Sequence, residues 1–223
     1  MKILAVDTTS DICSVAILEN DETIDEINLN NGKTHSENLL PIIDEILKKN
    51  KINLSEIDLI SCCTGPGSFT GIRIGIAVIK AFAEVNNIPI VSVTSLETLA
   101  RNDNSNLTKV VLIDARNNQV YSGVFNKNYE MIENYNADDI EVIINDLKKY
   151  EEVVCIGNGA ILHKDKLKEN LQNVKFIEEN KQCAACGGKI AFKKYKEENL
   201  QTADTLLPVY LRKSQAERMK KGK

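Results

Sequence analysis

Residues 64–75 read TGPGSFTGIRIG, a glycine-rich turn between an apolar run and a helical pattern. The run at 57–63 predicts a buried strand, which the Gly-Pro-Gly turn ends. Ser68 or Thr70 can cap the helix that follows, predicted over 70–85. Such a turn brings backbone N–H groups close to a ligand or a neighbouring chain segment. The stretch therefore predicts a strand–turn–helix unit of an α/β fold.

The predicted helix is apolar on two opposite faces. One face comprises Ile72, Ile76, Ile79 and Ala83, and the other comprises Ile74, Val78, Ala81 and Val85. A helix that lies on a sheet buries one face, so the second face predicts either another layer of the same molecule or a partner. Gly75 and Ala77 would let that neighbour come close.

The composition and charge of the chain argue against several classes of protein. The chain has 223 residues and a net charge of −4, which disfavours direct nucleic-acid binding, because phosphate contacts need clustered basic residues. The N-terminal sequence becomes polar too soon for a signal peptide, and no apolar stretch approaches membrane-spanning length. Six cysteines have no disulfide-framework spacing. We expect a cytoplasmic protein.

An internal repeat predicts two related lobes. Each copy is a strand ending in Asp, a polar turn and a returning strand. The first copy spans 2–7 and 12–18, and the second spans 109–114 and 119–125. Residues 101–108 are polar and turn-prone, as expected of a connection. We predict an N-terminal lobe at 1–105 that carries the interface helices, and a C-terminal lobe at 106–223 that ends in a basic tail.

A duplicated strand, Asp and hairpin unit with glycine turns resembles the actin, Hsp70 and sugar-kinase (ASKHA) superfamily, in which two lobes close over ATP. The predicted fold class is thus α/β, with a mixed sheet flanked by helices in each lobe. More narrowly, the chain resembles the bacterial TsaB (YeaZ) family. The motifs that carry this resemblance are residues 5–9, 34–37, 65–75, 114–116, 119–121 and 208–212.

The resemblance implies a non-catalytic partner subunit in threonylcarbamoyl transfer to the adenosine next to the anticodon, position 37, of tRNAs that read ANN codons. It implies binding and activation of a TsaD-type catalytic subunit, with a TsaE-type ATPase in a larger complex. Contact with tRNA is implied only through the partner, and no membrane is involved. A self-dimer is a further expectation.

The implied non-catalytic role can be compared with the sequence at the segment that matches the metal site of the catalytic relative. That relative binds metal through His-x-Glu-x-His, whereas the matching segment at 95–99 here reads SLETL. The only histidines, His35 and His163, lie in distant segments, so a pair of histidines on one helix is excluded. We predict no catalytic residue and no metal ligand, and expect His35 to make local hydrogen bonds.

The first hairpin also lacks features that would bind a nucleotide tightly. The first hairpin reads DTTSD at 7–11, with no glycine to wrap a phosphate and with a second acidic residue in the turn. We expect no nucleotide bound tightly by the chain alone, and ADP or ATP at the partner interface. The predicted nucleotide-proximal residues are Asp7, Thr8, Thr9, Gly65, Pro66, Gly67 and Ser68.

The predicted partner or dimer interface combines the glycine-rich helix with the preceding helix, which a capping-box pattern at 34–37 opens. Its residues are Leu39, Ile43, Ile46, Phe69, Thr70, Ile72, Arg73, Gly75 and Ile76.

Other classes remain open at this point. The chain could instead be an autonomous ATP-dependent enzyme or metallopeptidase, or a stand-alone structural or regulatory dimer. Cys183 and Cys186 also invite a zinc or redox interpretation, but a single pair on one helical face favours a structural role.

Overall fold

The computed structural model describes residues 1–178 and 182–212. The described residues form two compact units, one from 1–98 and 182–209 and the other from 99–178 and 210–212. Most of the predicted basic tail lies outside the described residues. No helix of the described ranges is long and apolar enough to cross a bilayer.

Strands and helices alternate along most of the chain. The strands are β1 (Lys2–Asp7), β2 (Cys13–Glu19), β3 (Glu22–Leu29), β4 (Leu59–Cys63), β5 (Ile90–Val93), β6 (Thr108–Asp114), β7 (Gln119–Phe125), β8 (Met131–Asp139), β9 (Val153–Ile156) and β10 (Val174–Phe176). The helices are α1 (His35–Lys49), α2 (Phe69–Asn86), α3 (Ser95–Ala100), α4 (Ile140–Leu147), α5 (Asn158–Leu162), α6 (Lys164–Asn170) and α7 (Ala184–Lys196).

The two units repeat one sheet topology. The first sheet has the order β3-β2-β1-β4-β5, and the second has β8-β7-β6-β9-β10. In each, the first strand of the repeat pairs antiparallel with its hairpin partner and parallel with the strand that follows the next helix. The predicted duplication and the mixed sheets are therefore confirmed.

Helices cover both faces of the first sheet. α1 and α2 pack on one face in a core that contains Ile43, Ile72 and Ile76. α7 packs on the other face, where Ala184 and Ile190 meet β1, β2 and β5. The units thus differ from the predicted lobes. α7 follows the second unit along the chain, but its apolar side packs on the first sheet, so it belongs to the first unit.

Local signals place α1 and α2. Ser68 is the N-cap of α2, and its hydroxyl accepts a hydrogen bond from the Gly71 N–H (3.2 Å), so one of the two predicted caps is used. The predicted capping box opens α1, where the Thr34 N–H donates to the Glu37 carboxylate at 3.0 Å. Pro41 lies inside α1.

Candidate functional site at the first hairpin turn

The turn after β1 is built around the carboxylate of Asp7. Its Oδ1 accepts hydrogen bonds from the Thr9 backbone N–H (2.8 Å) and the Thr9 hydroxyl (2.7 Å). Its Oδ2 is buried and has no hydrogen-bond partner among the described residues. Burial raises the pKa of Asp7, because the charged form loses water, and the bonds from Thr9 offset this only in part.

The Thr9 hydroxyl joins several segments at this turn. Besides donating to Asp7, it accepts a hydrogen bond from the Gln182 side-chain amide at 2.7 Å. The Cys63 thiol, at the end of β4, approaches it at 3.9 Å. Sequence reasoning missed Gln182 and Cys63, since neither has a local motif and Gln182 is separated from Thr9 by 173 positions.

The glycine-rich segment docks directly onto this turn. The Ser68 N–H donates to the Thr9 carbonyl, and the Thr8 hydroxyl donates to the Gly71 carbonyl, both at 2.8 Å. A Cβ atom at Gly71 would overlap the Thr8 carbonyl oxygen, and one at Gly75 would overlap the Thr8 hydroxyl. The neighbour that these glycines admit is therefore the hairpin turn of the same unit.

His35, the first residue of α1, holds the far side of the turn. Its Nε2 lies 2.7 Å from the Ser10 carbonyl oxygen, which can only accept, so Nε2 carries the proton. The ring is half-buried, and its Cδ2 lies beside Gly71. His35 therefore makes the expected local hydrogen bond, and this bond orients the hairpin.

The predicted nucleotide-proximal residues form one cluster. Thr8 and Thr9 contact the start of α2, and Asp7 joins them through its bonds from Thr9. Gly65, with a φ of 105°, lies against Ile72 and the Val209 carbonyl. Two backbone N–H groups of this cluster already have acceptors within the unit, since Thr9 donates to Asp7 and Ser68 donates to Thr9.

α3 contains the segment at 95–99 that the sequence analysis compared with the His-x-Glu-x-His pattern. Here the Ser95 hydroxyl donates to the Pro66 carbonyl, and Glu97 pairs with Lys194 of α7 at 2.8 Å. The Glu97 carboxylate also accepts the Thr94 N–H at 2.7 Å. Within residues 1–178 and 182–212, no group of three or more His, Cys, Asp or Glu side chains could hold a metal.

The second unit has its own version of the turn. Asp114 ends β6, and its carboxylate accepts the Arg116 N–H at 2.8 Å, as Asp7 accepts that of Thr9. Asn158 caps the Asp114 N–H at 3.0 Å, and Arg212 donates to the Ala115 carbonyl at 2.6 Å. Beside it, His163 is buried, and burial lowers the pKa of its imidazole.

Most of the predicted interface residues do not lie on a surface. The buried members are Leu39, Ile43, Ile46, Ile72, Gly75 and Ile76. Their side chains form the core between the sheet and helices α1 and α2, so the expectation that they are available to a partner is wrong. Thr70 and Arg73 are exposed, and Phe69 is half-buried.

The outward face of α2 is the second of the two apolar faces predicted from the helical period. Ala77 and Ala81 are exposed there, Ile74 and Val78 are half-buried, and Val85 is 79% exposed. We call this face the outer α2 face and define it by these five residues; it is the apolar part of the helix that a partner can reach.

Known protein families and curated relatives match most of this chain. The family model for the tRNA N6-adenosine threonylcarbamoyltransferase TsaD matches residues 24–220. The tRNA threonylcarbamoyladenosine biosynthesis protein TsaB of Bacillus subtilis strain 168 is 32% identical over 223 aligned residues, covering 97% of this chain and 96% of the relative. The Escherichia coli K12 TsaB is 31% identical and covers 71% of this chain and 72% of its own.

Solved structures agree as well. YeaZ from Pseudomonas aeruginosa superposes with a TM-score of 0.80 at 25% identity, covering 94% of this chain and 99% of that one. An activator of 2-hydroxyisocaproyl-CoA dehydratase from Clostridium difficile, with bound ADPNP, superposes with a TM-score of 0.52 at 10% identity, covering 94% of this chain and 100% of that one. This second likeness concerns the fold alone, and with the repeated sheets it confirms the predicted ASKHA-type architecture. The chain belongs to the TsaB family of tRNA threonylcarbamoyladenosine biosynthesis proteins.

Proposed function

We propose that this chain is a non-catalytic partner subunit that binds and activates a TsaD-type catalytic subunit for threonylcarbamoyl transfer to adenosine 37 of tRNAs that read ANN codons. The observation that carries the proposal is the packing of the glycine-rich segment against the first hairpin turn: the space beside Gly71 and Gly75 is occupied by Thr8, and the space beside Gly67 by Thr9. A loop packed in this way serves as scaffold rather than as an open phosphate cradle.

The contacts of α3 support the non-catalytic part of the proposal. Ser95 and Glu97 are engaged with Pro66 and Lys194 at the position of the relative's metal ligands. An ion pair and a buried hydroxyl bond hold a helix in place but supply neither a Lewis acid nor a general base. Chemistry on tRNA is therefore assigned to the catalytic partner.

Reconstituted threonylcarbamoyladenosine formation tests this function. Purified TsaD-type subunit, tRNA and carbamoyl-adenylate donor are assayed with this chain, without it, and with this chain in place of the catalytic subunit. We expect product only when both subunits are present. Product from this chain alone, or full product without it, would overturn the proposal.

The outer α2 face is the proposed partner surface. It presents small and apolar side chains beside Arg73, so another helix can approach closely there. The surface serves either a TsaD-type subunit or a second copy of the chain. Gly75→Arg is unsuited to test it, because that change would displace Thr8 inside the unit.

Ala77→Arg tests the surface without disturbing the turn, because Ala77 is exposed. We expect it to weaken binding of the catalytic subunit by about tenfold or more, since it places a charge and a long side chain in the contact. Val142→Arg on α4, also exposed, is the matched control. Equal binding by both variants, measured by light scattering and titration, would remove this surface from the proposal.

A nucleotide, ADP or ATP, is proposed to bind only in the assembled complex. The Asp7–Ser68 cluster provides part of a polar wall, but its N–H groups at Thr9 and Ser68 already have acceptors within the unit. Additional donors would have to come from the partner. Saturable nucleotide binding by the complex, absent from either subunit alone, is the expected result, and binding by the chain alone would contradict it.

A further inference from the structure

Two cysteines meet at the start of α7. Cys183 is the N-cap of the helix, and Cys186 lies in its first turn. Their sulfur atoms are 2.8 Å apart, and the Cys183 sulfur also accepts the Cys186 N–H at 3.2 Å. The N-cap and first-turn positions turn both side chains to the same side of the helix, so a covalent bond between the sulfurs needs no movement of distant segments.

The other four cysteines have a different environment. Cys13, Cys62, Cys63 and Cys155 are buried in strands, whereas Cys183 and Cys186 are only partly buried. Burial raises the pKa of the Cys13 thiol to about 11, and that of the Cys62 and Cys155 thiols to about 12. The hydrogen bond with Cys186, together with burial, raises the pKa of the Cys183 thiol as well. The α7 pair therefore differs from the strand cysteines in its partial exposure and in the close approach of its two sulfurs.

The helix does not depend on the pair for its other caps. The Ala184 N–H donates to the Ser14 hydroxyl at 2.8 Å, and the Ala185 N–H donates to the Glu26 carboxylate at 2.9 Å. Strands β2 and β3 thus fix the start of α7 independently of the sulfurs. A metal site is not supported, because the described residues offer no third ligand to the pair.

We propose that Cys183 and Cys186 form a dithiol–disulfide redox site, whose oxidant is a small-molecule disulfide. One thiolate of the pair attacks a sulfur of the oxidant RS–SR, forms a mixed disulfide and expels RS⁻. The other thiolate attacks the protein sulfur of that mixed disulfide, closes the Cys183–Cys186 bond and expels the second RS⁻. The two thiol protons end on the two released RS⁻ groups, so the protein loses two electrons and the oxidant gains them.

Thiol counting on the folded full chain tests the site. The protein is incubated with oxidised glutathione, quenched with acid, denatured and alkylated, and its intact mass and peptide map are measured. We expect two of the six thiols to be lost together, with the intramolecular bond mapped to Cys183 and Cys186 and with little glutathione retained. Dithiothreitol should restore both thiols.

Single substitutions separate this site from nonspecific oxidation. Cys183→Ser keeps an N-cap residue, so the helix start is preserved, and Cys186→Ser is its counterpart. Each should retain glutathione as a stable mixed disulfide, because the resolving thiol is missing. The buried-site control Cys155→Ala should still lose two thiols together.

Three outcomes would overturn the proposal. The first is that all six thiols of the wild-type chain remain alkylatable in excess oxidant. The second is a mixed disulfide that persists in the wild-type chain. The third is a loss of thiols that Cys183→Ser and Cys186→Ser leave unchanged.

Discussion

The two hairpin turns of the duplicated fold share one design and differ in what surrounds it. In both, the Asp that ends the first strand accepts the backbone N–H two residues later, from Thr9 in one unit and Arg116 in the other. Asp7 is buried beneath the glycine-rich segment, whereas Asp114 is only half-buried. The same local geometry is thus packed as a core element in one unit and left as a surface turn in the other.

The glycines account for this contrast between the two turns. Gly71 and Gly75 remove the side chains that would collide with Thr8, so the first turn can lie directly on α2. In the second unit, Gly157 and Gly159 approach β6 at Leu112 instead. Glycines that resemble a ligand cradle in sequence here serve contact between segments of one unit.

The largest expected effect comes from filling the closest approach. Gly71→Ala places a Cβ against the Thr8 carbonyl and should lower the free energy of unfolding by about 3 kcal/mol. Gly159→Ala in the second unit meets Leu112 and Asp114 less closely, at 2.9 and 3.0 Å, and should cost about 1 kcal/mol.

Urea denaturation followed by circular dichroism measures both losses, and hydrogen exchange assigns each one to its unit. Equal losses for the two variants would show that the first turn is no more tightly packed than the second.

The next effect concerns the hydroxyl at the centre of the first turn. Thr9→Val removes a donor to Asp7 and an acceptor for Gln182, and should lower the free energy of unfolding by about 2 kcal/mol, because buried polar atoms are left unpaired. Thr9→Ser keeps the hydroxyl and should lose under about 1 kcal/mol.

The counterpart variant in the second unit is Arg116→Ala. It should change stability by about 0.5 kcal/mol or less, since its contact with Asp114 uses the backbone. A Thr9→Val protein as stable as Arg116→Ala would contradict the central role of Thr9.

Below the folded pKa of Asp7, the smallest effect is expected for Asp7→Asn, because both side chains are then neutral and the amide keeps an acceptor for the bonds from Thr9. Its pH dependence is the informative quantity. The pKa of Asp7 is raised in the folded protein, so the folded state holds the proton more tightly than the unfolded state does.

As pH rises from about 4, the unfolded value, through the folded pKa, wild type should lose stability relative to Asp7→Asn. Above the folded pKa the difference should stay constant. Denaturation midpoints measured across pH check this prediction. If wild type instead gained stability relative to Asp7→Asn as pH rises, the site would stabilise the Asp7 carboxylate rather than destabilise it.

Much of the fold was predictable from local pattern. The Asp-ended strands, the hairpins and the glycine turn all repeat within the chain, and α2 runs from Phe69 to Asn86 where the pattern placed 70–85. The capping residues Ser68 and Glu37 act through neighbours three positions away, so the sequence contains their whole mechanism.

The rest depends on contacts between distant segments. No local signal indicates that α7 covers the first sheet or that Gln182 binds Thr9. Helical periodicity separated two faces of α2, but it could not say which one lies on the sheet, and the buried face that contains Ile72 and Ile76 was taken as the interface. Burial on a sheet is decided by tertiary packing and not by apolar content alone.

Titration of ATP and ADP, with Mg²⁺, into the chain alone and into its complex with the TsaD-type subunit measures whether the first hairpin turn binds nucleotide without a partner. Because Thr8 occupies the space beside Gly71 and Gly75, and because the Thr9 and Ser68 N–H groups are already bonded, the chain alone should give no saturable heat, while the complex should give a binding isotherm. Saturable binding by the chain alone that Asp7→Asn abolishes would show that the first turn is a working nucleotide site, and would contradict this account.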